Sequence, residues 1–131
     1  MKGYTDLEQS KKLAEILPLE SADMRYHTVS HYNPYPCDEI VYTVDFGKAS
    51  GKDIPCWSLS ALLQVLPLGI YDELDGCDYE LNIEMIDKMP RYIRLGDIYH
   101  SQFPYDFEKD TLLDNIVESI IWLNDNNYLE S

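Results

Sequence analysis

Basic residues are scarce in this chain: ten Lys and Arg stand against 24 Asp and Glu, a formal net charge of −14 at pH 7. So acidic a surface has no general attraction for phosphate backbones, which argues against direct nucleic-acid binding. Long apolar runs are missing as well. Nothing approaches the ~20 residues that a membrane helix needs, and the opening Met1-Lys2-Gly3-Tyr4-Thr5-Asp6 lacks the apolar stretch of a signal peptide. The expectation is a soluble, cytoplasmic protein with no membrane partner. Cysteine is limited to Cys37, Cys56 and Cys77. An odd number without CxxC or other zinc spacing fits reduced thiols, not a disulfide framework. The Gly-Lys dipeptides between Gly47 and Asp53 lack the GxxxxGK[ST] pattern of a phosphate cradle, so no nucleotide cofactor is implied.

What is present suffices for a core: 131 residues at 45% hydrophobic and 26% charged fall in the globular range. The best-marked stretch is Ile54-Pro55-Cys56-Trp57-Ser58-Leu59-Ser60-Ala61-Leu62-Leu63-Gln64-Val65-Leu66-Pro67. Ser58 suits an N-cap and Trp57 a staple against Leu62, while Pro67 stops the helix. Leu59, Leu62, Leu63 and Leu66 recur at helical spacing, widened by Ala61 and Val65. A helix apolar nearly all round predicts a central element, with Leu62 and Leu63 in the middle of the core.

Other elements follow in order. Thr5-Asp6-Leu7-Glu8 reads as a capping box with Thr5 as cap. Its helix turns Leu7, Leu13, Ala14, Ile16 and Leu17 inward, and Pro18 closes it. Residues 21–24 suit one more helical turn. Residues 25–32 and 40–46 read as strands of an antiparallel hairpin around Asn33-Pro34-Tyr35-Pro36, and residues 47–53 as a flexible loop. After Pro67, residues 69–74, 79–86 and 91–95 read as strands, the first two joined at Asp75-Gly76. Residues 79–86 alternate, with Tyr79, Leu81, Ile83 and Met85 against Glu80, Asn82 and Glu84. Residues 96–107 read as a loop with a little extended structure. Asp110 would cap the last helix, which buries Leu112, Leu113, Ile116, Val117, Ile120, Ile121 and Leu123 and turns Asp114, Asn115, Glu118 and Ser119 to water. Asn126-Asn127 suits a left-handed stop. The prediction is an α+β fold: one mostly antiparallel sheet of about five strands packed with three helices, in a single domain over residues 1–131.

Three stretches together carry a resemblance. They are Glu8-Gln9-Ser10-Lys11-Lys12-Leu13 running on to Glu20-Ser21-Ala22-Asp23-Met24, then Ile54 to Leu63, then the terminal helix from Asp114-Asn115 to Leu129. In combination they resemble a family of small uncharacterised proteins of gut bacteria and of the phages and prophages those bacteria carry. Residues 72–102 lie outside the likeness. That family has no assigned activity, so the resemblance implies a mobile-element setting in a bacterial host cell and carries over no site residue.

Candidate sites are few. No Lys or Arg stands between Lys52 and Lys88, while Asp72, Glu73, Asp75, Asp78, Glu80, Glu84 and Asp87 crowd together. A solvated face explains them, and so does a surface for a basic protein partner. They lack the D-x-[DN]-x-[DN]-G pattern of a calcium loop. Eleven tyrosines are the compositional oddity. Several neighbour basic residues, and Arg25, His27, Arg91, Tyr92 and Arg94 are candidates to stack and neutralise a small anionic ligand such as a signalling nucleotide. His27 and His31, four apart on a strand, lie roughly 13 Å from each other, too far to share a metal ion. Cys56-Trp57 at a helix start resembles the nucleophile of papain-like enzymes, with His100 and Asp106 or Asn115 as helpers. The upstream glutamine and glycines of that motif are missing, and a buried structural thiol is the competing reading. The sequence therefore points to a non-enzymatic, acidic binding protein that engages a host protein. A small-ligand binder is the alternative, and a cysteine hydrolase comes third. A second copy of the chain stays open as a partner.

Overall fold

The computed structural model describes residues 3–28, 42–72, 76–84, 89–94, 101–103 and 111–129. The first helix, α1 (Leu7–Ala14), begins at Asp6, not at Thr5. The Asp6 carboxylate accepts from the Gln9 N–H at 2.8 Å, and the Gln9 side chain accepts from the Asp6 N–H at 3.0 Å. Thr5 is unavailable as a cap because its hydroxyl is buried and used elsewhere. Leu13 and Leu17 point inward, whereas Ala14 is exposed. A single 3-10 turn follows at Leu19–Ser21, ahead of the turn expected at residues 21–24.

Three strands, β1 (Met24–Thr28), β2 (Tyr42–Phe46) and β3 (Ile54–Cys56), make one antiparallel sheet in the order β2-β1-β3. The hairpin pairing of β1 with β2 is as expected, with Met24 opposite Phe46 and Thr28 opposite Tyr42. The intervening turn, with Asn33 to Pro36, lies outside the described residues. β3 is an additional strand, between the expected 47–53 loop and the central helix. Pro55 argues against a strand, yet β3 runs along the edge of this sheet, where a residue without an N–H costs no ladder bond. The loop before it is a hydrogen-bonded turn: the Asp53 N–H donates to Ser50 O, and the Ser50 N–H to the Asp53 carboxylate.

Helix α2 (Leu59–Val65) has the cap the sequence announces, with the Ser58 hydroxyl accepting from the Ala61 N–H at 3.2 Å. Its inward side is narrower than its composition suggests. Leu62, Leu66 and Ala61 are buried, whereas Leu63 is 38% exposed. Leu62 holds the centre, and Leu63 does not.

Beyond Pro67 a second antiparallel sheet forms from β4 (Gly69–Asp72), β5 (Cys77–Glu84), β6 (Met89–Arg94) and β7 (Ser101–Phe103), in that order. Gly76, just ahead of β5, has φ +69°, a left-handed value that glycine adopts without a side-chain clash. The expectation of one sheet of about five strands is therefore corrected to two sheets, of three and four strands among the described residues. The cause is local: β3 completes the first sheet on β1, and α2 then carries the chain away before β4 starts a new meander. Along β5 the alternation holds. Tyr79 is buried and Leu81 and Ile83 are half-buried, while Asp78 and Glu80 are exposed.

Helix α3 (Leu112–Asp125) is capped by Thr111, whose hydroxyl accepts from the Asp114 N–H at 3.1 Å. Asp110 lies outside the described residues. Leu113, Ile116, Val117, Ile120 and Leu123 are buried as expected. So are Asn115 and Ser119, which the helical pattern assigns to water. The helix packs against β6, α2 and α1, so its small polar side is covered too. Ser119 meets the requirement of burial by donating to Asn115 O at 2.8 Å. Asn127, at φ 63°, ends the helix in the left-handed region.

The core joins Leu13 and Leu17, Trp57, Leu62 and Leu66, Ile70, Tyr79 and Tyr92 with the buried stripe of α3. Leu62→Ala is expected to cost about 2–5 kcal/mol through lost burial and a residual cavity. Leu63→Ala, at a partly solvated position, is expected to cost under about 1 kcal/mol. Thermal or denaturant melts of the two variants check the contrast, and equal losses would contradict the placement of α2.

Candidate functional site

Cys56 lies in a buried polar seam between the N-terminal segment and the start of α2. The Thr5 N–H donates to Trp57 O at 3.0 Å, and the Trp57 N–H donates back to Thr5 Oγ1 at 3.2 Å. Thr5 Oγ1 is also 2.7 Å from Ser10 Oγ. The Cys56 thiol is fully buried and donates to Thr5 O at 3.5 Å, an oxygen that also accepts from the Tyr26 hydroxyl at 2.8 Å. Burial pushes the Cys56 thiol up from its ordinary pKa, outweighing the hydrogen bonds from Thr5 and Ser10 that favour the thiolate. A nucleophile needs access and thiolate character, and Cys56 has neither. Of the helpers considered for it, His100 and Asp106 lie outside the described residues, and Asn115 is buried on α3.

The candidate anion-binding residues divide between the two sheets. Arg25 and His27 are on β1, while Arg91, Tyr92 and Arg94 are on β6. Arg25 is already neutralised: Nε lies 3.0 Å from Asp45 Oδ1, and Nη1 lies 3.8 Å from Asp53 Oδ2. Nη1 also donates to Lys48 O at 3.4 Å. The hydrogen bond to Asp45 raises the Arg25 pKa further. His27 Nε2 stands 3.7 Å from Asp45 Oδ2, and His31 lies outside the described residues. Lys48 donates to Glu20 O and Ala22 O, which fixes the 47–53 turn to the strand entry.

Tyr92 offers no stacking face. It is fully buried opposite Leu81, and its hydroxyl donates to Pro67 O at 2.8 Å. Burial raises its pKa strongly. Arg94 pairs in register with Tyr79 and Arg91 with Asn82, so neither faces a carboxylate residue directly across β5. Among the described residues no group of three or more His, Cys, Asp or Glu is placed to hold a metal ion.

The acidic face is the part of the prediction that acquires a shape. Asp78 and Glu80 are exposed on β5, opposite Tyr71 and Gly69 of β4. Tyr71 is itself 55% exposed. Asp72 and Glu84 occupy strand ends, paired with Cys77 and Met89. Glu73, Asp75 and Asp87 lie outside the described residues. Beside β4 the sequence reading missed a groove of about 440 Å³, walled by Leu17, Pro18, Val65, Pro67, Gly69, Tyr128 and Leu129. The parallel dipeptides Pro18-Leu19 and Pro67-Leu68 are its only sequence signal, and both leucines are exposed, Leu68 at 83%.

These features define a two-sheet α+β protein with an acidic outer face and a groove of mixed lining, in which Ser21 and Gln64 join the apolar side chains. None of its described helices is long and apolar enough to cross a membrane. Comparison with known proteins finds no matching family model, no matching curated protein and no matching solved structure.

The burial of Cys56 and of the Tyr26 hydroxyl sets a pH dependence. Both pKa values are raised in the folded state, Tyr26 to about 12. The folded state thus holds these protons longer than the unfolded chain does. Stability is full below the ordinary thiol value of 9.0 and falls as pH rises from there toward about 12. A thiol reagent at neutral pH should label Cys56 only on unfolding, and Cys56→Ser should cost about 1–3 kcal/mol. Fast native labelling of Cys56 would contradict its placement.

Proposed function

We propose that the protein is a non-enzymatic binding protein that occupies a basic surface of a partner protein through the outer face of its second sheet. The partner is a host-cell protein, in the phage or prophage setting that the sequence resemblance implies. One observation carries the reading: Asp78 and Glu80 project beside exposed Tyr71 in a stretch, residues 53–87, that contains no Lys or Arg. Exposed acids in a stretch of chain free of Lys and Arg favour a negative local field, and an exposed tyrosine among them supplies the aromatic anchor that interfaces favour. The small-anion alternative has less support, because Arg25 is held by two carboxylates and Tyr92 is buried. Binding by such a face is steered electrostatically, so its on-rate falls with salt as screening shortens to ~8 Å at physiological ionic strength.

The combined reversal Asp78→Lys and Glu80→Lys should abolish partner capture while leaving the melting temperature near that of the parent, since both side chains are exposed. A pull-down from host lysate with salt-dependent binding kinetics checks this. Stabilisation by a nucleotide, with no captured protein, would sink the reading.

A further inference from the structure

The acidic face borders an open sheet edge. β5 pairs with one side of β4, and among the described residues no strand pairs with the other. Leu68 O accepts from the Leu81 N–H at 2.9 Å, which fixes the phase of the ladder. The backbone groups of residues 68, 70 and 72 therefore turn toward β5, and those of Gly69 and Tyr71 turn to the open side. The groove adjoins the start of β4, with Gly69 and Pro67 in its wall. On the outer layer stand Tyr71, Asp78 and Glu80.

We infer that the open edge of β4 takes an added strand: an extended peptide segment of a partner in which apolar residues alternate with lysine or arginine. This rests on the acidic-face proposal for its charge and on the edge for its backbone contacts. Alternation sends one set of side chains into the groove and the other over the outer face. A residue added beside Gly69 lies roughly 10 Å from the β5 backbone, two strand spacings. Gly69 has no side chain over that path to Glu80, and a Cβ there would make a tight 3.2 Å contact with Tyr79 O. Beside Tyr71, a cation crosses an exposed aromatic ring on its way to Asp78. A second copy of the chain is disfavoured as occupant, because each copy brings a charge of −14 to the same edge.

The test uses an eight-residue peptide of alternating valine and lysine, and two counterparts N-methylated either on all valines or on all lysines. In an added strand, successive N–H groups point to opposite sides, so only one methylated set faces β4. Calorimetry with the intact protein should show one counterpart bound about tenfold more weakly, the effect of losing a pair of backbone hydrogen bonds, and the other little changed. Amide exchange at Gly69 and Tyr71 should slow in the complex. Methylation acting alike on either set overturns the added strand. The acidic-face proposal then survives only if the Asp78→Lys and Glu80→Lys reversal still removes binding. Absence of binding by the parent peptide also overturns the inference, as does slowed exchange at these amides on raising protein concentration without peptide.

Discussion

The hydroxyl of Thr5 is the point on which much of the first half of the fold depends. It lies against Ser10 of α1 and accepts from the Trp57 N–H at the entry to α2, while the Thr5 carbonyl takes the Tyr26 and Cys56 donors of β1 and β3. Four elements meet at one residue. Each buried donor left without its acceptor costs about 1–3 kcal/mol, so the seam is worth more as a constraint than as a sum of bonds. Among the described residues every buried side-chain nitrogen or oxygen finds a partner. Two further bonds extend the same lock: the Trp57 indole donates to Ser21 Oγ at 2.9 Å, and the Ser58 N–H and hydroxyl both reach the Asp23 carboxylate. Trp57 is thereby held at both ends, and the face of α2 that follows it can enter the core in only one orientation.

The second sheet is attached by different means. Its β6 lies under α3, and Tyr92 ties it to the end of α2 through Pro67 O. At the other end of α3, the Gln9 amide of α1 donates to the Asp114 carboxylate at 2.8 Å. α3 is thus the bridge between the two halves, which explains why it buries Asn115 and Ser119 as well as its leucines and isoleucines.

Local chemistry is what the sequence made legible. Ser58 as a cap, Pro67 as a stop, Asn127 as a left-handed residue and the outward Glu80 of β5 are each decided within a few residues. What depends on distant partners was not legible. Thr5 looks like a cap until Trp57 claims its hydroxyl, and Pro55 hides an edge strand that only β1 can reveal. Leu63 matches Leu62 in character but falls on the wrong side of a seven-residue helix. The candidate site divides the same way. Glu80 follows from alternation alone, whereas Asp78 lies outside the expected strand, which begins two residues later than β5 does. The loss of Arg25 to Asp45 and Asp53 requires the register of β1 on β2 and the turn before β3. Tyr92 is buried because it faces Leu81 across a ladder whose register no local signal fixes.

The distribution of charge joins these observations. Several of the few cations are used internally: Arg25 on two carboxylates, Lys48 on two backbone carbonyls and Lys12 on Glu15. Asp78 and Glu80 of β5 face outward. An open strand edge is ordinarily a liability, because it templates pairing with any extended chain, including another copy of itself. Placing Asp78 and Glu80 one strand in from such an edge changes which chains can use it. Under the strand-addition proposal, like-charged copies would be repelled from that edge and a basic segment drawn to it. Specificity of this kind comes from a repulsive element as much as from an attractive one. Under the same proposal, the acidity of the chain makes the β4 edge, which is unpaired among the described residues, selective for basic segments.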